Sequence, residues 1–469
     1  MNSDFPHMTK TSSYMKERAS HAPKILLTDT NRWPVTARLA IAFLKMGGNV
    51  AVLCPAPGHP AAKVRGIGPV FEYSGLRPLA SLRRAIEAFT PDIVVPSCDR
   101  GVQHLHELHA VGRSEGGQGD ELANVIEYSL GSPEFFTVVS SRRQLLETAR
   151  SEGILVPETR GLECVADLSN WNSKALPPWV LKADGTWGGR GVRIAHTTKE
   201  SEAEFRELTR AGNLVGLLKR VVLNRDRGWN LCDWKRPRPA VIAQSFIQGR
   251  PANCAVVCRE GKILAGIAVE VILTQGSTGP STVVQIVEGS EMMLAAERIA
   301  RRLKLSGFLG FDFIIEDQTG KTFLIEMNPR CTPPCPLSLG KGQDLVAALW
   351  AELANQPLSE SEPLTAMSRI AYFPQAVSGS RDVPDALLDT CYVDLPLGAP
   401  DLMQELLHPW PERSIAGQVV DFVRQKRGLR QKSSICLFQG ALSAVSAEGA
   451  DGEGRMLDDR RANAFSGPC

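Results

Sequence analysis

The sequence has almost no excess charge, no long apolar run and no apolar leader pattern in its opening residues, and each of these argues against a class of function. Its 53 lysines and arginines stand against 51 aspartates and glutamates, for a formal charge of +2. That is too balanced for a general nucleic-acid surface, which needs a marked basic excess. No stretch approaches the roughly 20 apolar residues of a membrane-spanning helix. The opening MNSDFPHMTKTSSYMKERASHAP is polar and lacks the apolar centre of a signal peptide. The expected setting is the cytoplasm, with neither nucleic acid nor membrane as partner. The eleven cysteines are an odd number in a long chain, so a disulfide framework is not expected. Cys254 and Cys258 in NCAVVC, and Cys331 and Cys335 around TPP, have no second pair at finger-like spacing, and they read as structural thiols.

What is present is material for real cores. With 469 residues and 43% hydrophobic side chains, the length suggests about three domains at roughly 150 residues each. From Pro23 strands alternate with helices. KILLTDT and NVAVLCP flank the amphipathic PVTARLAIAFLKMGG, and SLRRAIEAFTPDIVVPSCD gives a helix and another strand. This alternation implies a doubly wound parallel sheet. Ligand loops in such sheets follow the carboxyl ends of strands, here TDTNRWP and PSCDRG. His104, His106 and His109 in QHLHELH do not share one helical face and read as a helix surface, while residues 113–121 read as a loop.

Two stretches carry chemistry. PPWVLKADGTWGGRGVRIAH places Lys182 at the end of an apolar run, followed by Gly185, Gly188, Gly189 and Gly191 and then a β-prone segment. Glycines this dense make either an ordinary hairpin or a backbone that closes over phosphate. The strand–loop–strand order and the missing Gly-Lys-Ser/Thr exclude a Walker loop, and a dinucleotide fingerprint would open a helix. The second stretch, GFDFIIEDQTGKTFLIEMNPR, reads as a hairpin turning at Thr319-Gly320. Glu326 and Asn328 are two apart and share a face, and pairing can bring Asp312 beside them. Three hard oxygen donors with room for phosphate oxygens suit Mg²⁺, and Arg330 follows on the same side to meet an anion.

Lys182 with its glycine loop, then QSFIQGR, then Asp…Glu-x-Asn-Pro-Arg is an order that resembles the ATP-grasp enzymes, from about Lys24 to Leu353. The nearest likeness is to carboxylate-amine ligases and the carbamoyl phosphate synthetase large-subunit group. The resemblance implies an α/β fold: an N-terminal doubly wound parallel-sheet (pre-ATP-grasp) domain, followed by a two-part ATP-grasp α+β domain. It implies that Lys182 contacts the α- and β-phosphates, and that Gly188, Gly189 and Gly191 form a lid over the triphosphate. The side chain of Gln244 and the backbone of Ser245 and Ile247 would read adenine. Asp312, Glu326 and Asn328 would hold one or two Mg²⁺, or Mn²⁺ in its place, and Arg330 would act catalytically on the acyl phosphate or the transferred phosphoryl group. Two positions depart from the pattern. Arg142 stands where many members have a second phosphate-binding lysine, and its planar fork is not a point charge. Pro251 and Ala252 stand where many have a ribose-binding glutamate.

The expected organisation is an N-terminal segment 1–22, the pre-ATP-grasp domain 23–135, a small ATP-grasp subdomain 136–245 with the lid, and a central subdomain 246–355 with the metal hairpin. A mixed α/β region 356–438 and a small-residue, polar tail 439–469 follow. The expected activity is ATP- and Mg²⁺-dependent joining of a small carboxylate to an amine through an acyl phosphate. A small-molecule kinase and a non-catalytic ATP-binding regulator are the alternatives, and a homodimer is left open. LNRDRGWNLCDWKRP interleaves Arg225, Arg227, Lys235 and Arg236 with Trp229 and Trp234, which suits either an acidic or aromatic substrate or a solvated loop. Neither a Met-Lys-Met biotin motif nor a glutamine amidotransferase domain is visible.

Overall fold

The computed structural model describes residues 22–55, 58–185, 191–210, 239–275, 279–358, 362–377 and 383–407. All of them belong to one compact unit, Met1–Gln418. The LNRDRGWNLCDWKRP stretch, Gly188 and Gly189 lie outside the described residues.

The N-terminal strands β1 (Lys24–Thr28), β2 (Asn49–Cys54), β3 (Val70–Glu72) and β4 (Ile93–Pro96) form a parallel sheet in the order β3-β2-β1-β4. Ile25, Leu26 and Leu27 are all fully buried, as expected of a parallel sheet covered on both faces. Helix α1 (Pro34–Lys45) covers one face. Its proline sits at the first helical position, where the missing N–H costs nothing. Helices α2 (Pro78–Phe89), α3 (Asp99–Glu115) and α4 (Gln118–Leu130) share the core on the other face.

Two local expectations are corrected here. Residues 113–121 are not a loop, because α3 runs to Glu115 and α4 starts at Gln118 across Gly116-Gly117. The histidines are not a plain helix surface either. His104 is buried against the Tyr73 hydroxyl, His109 against Glu127, and His106 stacks on Phe136 at 3.9 Å. Among the described residues none of this makes a metal cluster.

A second, antiparallel sheet has the order β5-β8-β6-β7: β5 (Thr159–Leu162), β8 (Val241–Ser245), β6 (Trp179–Ala183) and β7 (Val192–Ala195). Helix α5 (Arg142–Ser151) precedes it, and α6 (Val165–Asn172) and α7 (Thr198–Leu208) complete its core. The third sheet has seven strands, β13-β12-β9-β10-β11-β14-β15, built from β9 (Gly249–Arg259), β10 (Lys262–Thr274), β11 (Ser281–Val287), β12 (Gly307–Glu316), β13 (Thr322–Asn328), β14 (Arg369–Ala371) and β15 (Tyr392–Val393). Helix α8 (Ser290–Arg302) and α5 bury one face of it over Cys254, Val256, Cys258, Phe311 and Phe313. The described cysteines are free thiols, and both close pairs are buried. The described strands after residue 356 extend this same sheet. Arg38 of α1 pairs with Asp394, and Arg32 with Glu405 of α9 (Pro400–Leu407).

Gly131 marks the seam between the N-terminal helices and the seven-stranded sheet. Its φ is +100°, and a Cβ there would lie 2.2 Å from the Lys304 carbonyl oxygen. Around it, Ser306 N–H donates to Leu130 O at 3.1 Å and Ser132 N–H to Lys304 O at 3.2 Å. Gly131→Ala therefore meets both a backbone clash and a left-handed conformation. It is expected to destabilise the unit by roughly 2 kcal/mol or more. Urea denaturation of the variant checks this, and an unchanged midpoint would contradict it.

Candidate active site

The hairpin β12–β13 alternates. Phe311 and Phe313 point into the core, so Asp312 faces the other way. Asp312 lies directly across from Glu326 on β13 and from Asn253 on β9, which sets three polar side chains in a row over three strands. Asn253 Nδ2 donates to Asp312 Oδ1, and Asn328 Nδ2 donates to Oδ2 at 2.9 Å. Burial pushes the Asp312 carboxyl up to about 6. The facing Glu326 adds to that, while the bonds from Asn328 and Asn253 and the charge of Arg330 oppose it. The register then shifts, leaving Ile325 out of the pairing. Bulges of this kind re-aim groups beside functional sites, and here the Ile325 carbonyl oxygen accepts from Lys182 Nζ at 3.2 Å.

The cations arrive from the other elements. Lys182, buried on β6, is pulled down to about 8 by burial, with Glu326 acting against that and Arg142 adding to it. Arg142 opens α5, where the positive end of a helix disfavours a guanidinium. It is held there by Glu326 Oε1, which accepts from Nη2 at 2.6 Å, and by the Ala183 carbonyl. Asp184 stands 3.7 Å from its Nη1. Burial opposes the charge of Arg142, yet Glu326 and then Asp184 and Asp99 raise its pKa above the ordinary value. Arg330 donates from Nε to Asp99 Oδ2 at 2.9 Å, from Nη1 to Cys331 O at 3.0 Å and from Nη2 to Asn328 Oδ1 at 3.1 Å. Burial works against its charge too, and Asp99 outweighs it.

Arg142, Lys182, Asp312, Glu326, Asn328 and Arg330 are thus brought into one network. The remaining site residues lie along the sheet that carries Lys182. The glycine loop joins two antiparallel strands, with Lys182 across from Val192, and Ala183 N–H donates to Gly191 O at 3.0 Å. Gln244 lies on β8 between Thr159 and Val180, and its Nε2 donates to Thr159 Oγ1 at 3.2 Å. Ser245 N–H donates to Glu158 O at 2.9 Å, and Ile247 lies in the short link from β8 to β9. Pro251 faces the site side across from Ile314, and Ala252 is buried in the core. Neither position regains a carboxylate.

Sequence reasoning missed three participants. Asn253 was hidden in NCAVVC, where the cysteines drew the reading, and its pairing with Asp312 spans two distant strands. Asp99 did carry a signal, since it opens α3 just after the end of β4. Asp184 directly follows the strand of Lys182.

Among the described residues no group of three or more His, Cys, Asp or Glu side chains is arranged to hold a metal. The hairpin offers two carboxylates and an amide, an incomplete shell that suits a cation finishing its coordination on phosphate and water, as Mg²⁺ does. A carboxylate raised by burial and then by its like-charged neighbour is also what a divalent cation relieves. The donor set fits.

Residues 146–334 match the ATP-grasp domain family, and this stretch follows the parallel sheet of β1–β4 along the chain. No curated protein matches the chain in sequence. Among the solved structures that share the fold are three synthetases. The ADP complex of N5-carboxyaminoimidazole ribonucleotide synthetase has 17% identity and a TM-score of 0.52 over 73% of this chain and 80% of that one. N5-carboxyaminoimidazole synthetase from Staphylococcus aureus with ADP has 14% and 0.52 over 73% and 80%. Carboxyaminoimidazole ribonucleotide synthase from Aspergillus clavatus with ATP has 15% and 0.51 over 72% and 78%.

The raised carboxyl of Asp312 has a measurable consequence. A folded-state pKa of about 6 against an ordinary 3.8 means that the folded protein holds the proton more tightly. The group's stability contribution is therefore complete below about pH 4 and is lost as pH rises through about 6. Subtracting urea-denaturation stabilities of Asp312→Asn from those of the nucleotide-free wild type should give a difference that falls by roughly 1–3 kcal/mol over that window. A flat difference would contradict the assignment.

Proposed function

We propose that the chain is an ATP- and Mg²⁺-dependent ligase that activates a small carboxylate as an acyl phosphate and joins it to an amine. One observation carries the reading: two facing carboxylates, Asp312 and Glu326, meet three cations contributed by separate elements, the buried Lys182 and the half-buried Arg142 and Arg330. Such a set balances a polyphosphate and a cation together, and it serves phosphoryl transfer, where catalysis is mainly positioning and charge stabilisation. The fold likeness to proteins solved with ADP and with ATP supports the nucleotide.

In this reading Lys182 and Arg142 exchange the Ile325 and Ala183 carbonyls for phosphate oxygens, and Gly188, Gly189 and Gly191 let the backbone approach the triphosphate. Gln244, Ser245 and Ile247 line the base side. Asp312, Glu326 and Asn328 would hold Mg²⁺, which would supply charge neutralisation for the phosphates when bound. Arg330, fixed by Asp99 and Asn328, steadies the acyl phosphate. We read residues 23–135 as the pre-ATP-grasp domain, 136–245 and 246–355 as the two grasping halves, and 356–438 as an appended region.

The test supplies ATP, Mg²⁺, and pools of amino acids and short mono- and dicarboxylates, with and without amines. ADP and free phosphate should appear together with a new amide. Turnover should fall about 100-fold or more in Asp312→Ala and Glu326→Ala, the scale expected when preorganised charge is removed. A stable phosphorylated product would make the protein a kinase, and ATP binding without turnover would make it a regulator.

A further inference from the structure

In the N-terminal sheet the strand order reverses between β1 and β4, and open α/β sheets take ligands at the carboxyl ends of strands at such a point. The hairpin that carries Asp312 and Glu326 exits into this place. Cys331 N–H donates to Pro96 O at 3.3 Å, and Arg330 reaches Asp99 at the start of α3. Asp29 and Arg32 in these two loops are already engaged. Asp29 accepts from the N–H groups of Asn31 and Trp33 and from Thr36 Oγ1, and it pairs with His59 Nε2 at 3.1 Å. Arg32 is held by Gly58 O and Glu405. Asp99 differs. Oδ2 serves Arg330, Oδ1 has no protein partner among the described residues, and the side chain is 25% exposed. At the same strand ends the hydroxyls of Thr28 and Ser97 are buried with no partner among the described residues.

We propose that Asp99 is the binding residue for the amine substrate and that the substrate is a primary amine entering as its ammonium; the inference rests on the ligase reading. A carboxylate only accepts hydrogen bonds, so its open oxygen takes a donor, and its charge favours a cationic N–H over a neutral hydroxyl. Its charge repels an anionic nucleophile. The pair with Arg330 places that nitrogen beside the guanidinium assigned to the acyl phosphate. The ammonium gives one proton to Asp99. The freed nitrogen then forms the C–N bond as the acyl C–O bond to phosphate breaks, its second proton leaves on the phosphate, and Asp99 releases the first to solvent.

Asp99→Asn separates this role from a structural one, because its amide keeps a carbonyl oxygen for Arg330 Nε and loses the charge. The full-length protein is assayed with ATP, Mg²⁺ and the carboxylate pool, using hydroxylamine to capture acyl phosphate as hydroxamate, and in parallel methylamine, ethanolamine and aniline. In Asp99→Asn, hydroxamate formation should fall as the hold on Arg330 weakens, while kcat/KM for methylamine or ethanolamine should fall at least 30-fold further, with the extra loss in KM. Aniline, which is neutral at pH 7, should be the poor substrate of the wild type. Equal losses with hydroxylamine and the cationic amines would overturn the proposal, since Asp99 would then act only through Arg330. Preference for aniline in the wild type would overturn it as well. Absence of hydroxamate in the wild type with every acid would instead sink the ligase reading, and this inference with it.

Discussion

Two carboxylates held opposite each other on neighbouring strands repel, and the site is organised around that repulsion. Directly opposed side chains have Cβ atoms about 4.5–5.5 Å apart, and Asp312 and Glu326 occupy such a pair on a largely buried face. A folded chain tolerates this only if positive charge is brought to it. Arg142 comes from the start of α5, Lys182 from the adjoining antiparallel sheet, and Arg330 from the chain leaving the hairpin. For Arg142 and Arg330 the acidic partners outweigh burial, whereas for Lys182 burial still wins over Glu326. The bulge at Ile325 belongs to the same arrangement, since it turns a carbonyl oxygen out of the ladder toward Lys182.

The consequence is a site that no single sheet contains. The seven-stranded sheet carries the acids, the four-stranded antiparallel sheet and α5 carry two of the bases, and the parallel sheet contributes Asp99 as the anchor of Arg330. The Gly131 seam and the Arg38–Asp394 pair join these parts.

What could be read from the sequence follows from how local each signal is. The hairpin was legible because Phe311, Asp312 and Phe313 alternate within one strand and Glu326 and Asn328 sit two apart on the next. The strand–loop–strand form of the glycine segment and the N-terminal alternation are equally local. Asn253 was not legible, because its place beside Asp312 depends on β9 pairing with a strand far along the chain. The same holds for β14 and β15, whose short runs gain meaning only at the edge of an existing sheet. The histidines of α3 were misread because helical periodicity shows which residues share a face, not that Tyr73, Phe136 and Glu127 cover them.

The central claim is that the balanced charges serve transfer of a phosphoryl group to a carboxylate. Supplying the carboxylate pool with oxygen-18 in the carboxyl groups, together with ATP, Mg²⁺ and amine, tests it most directly by mass analysis of the released phosphate. An acyl phosphate route delivers one labelled oxygen into each phosphate, because the carboxylate oxygen leaves with it. Unlabelled phosphate accompanying ADP and amide would contradict the account.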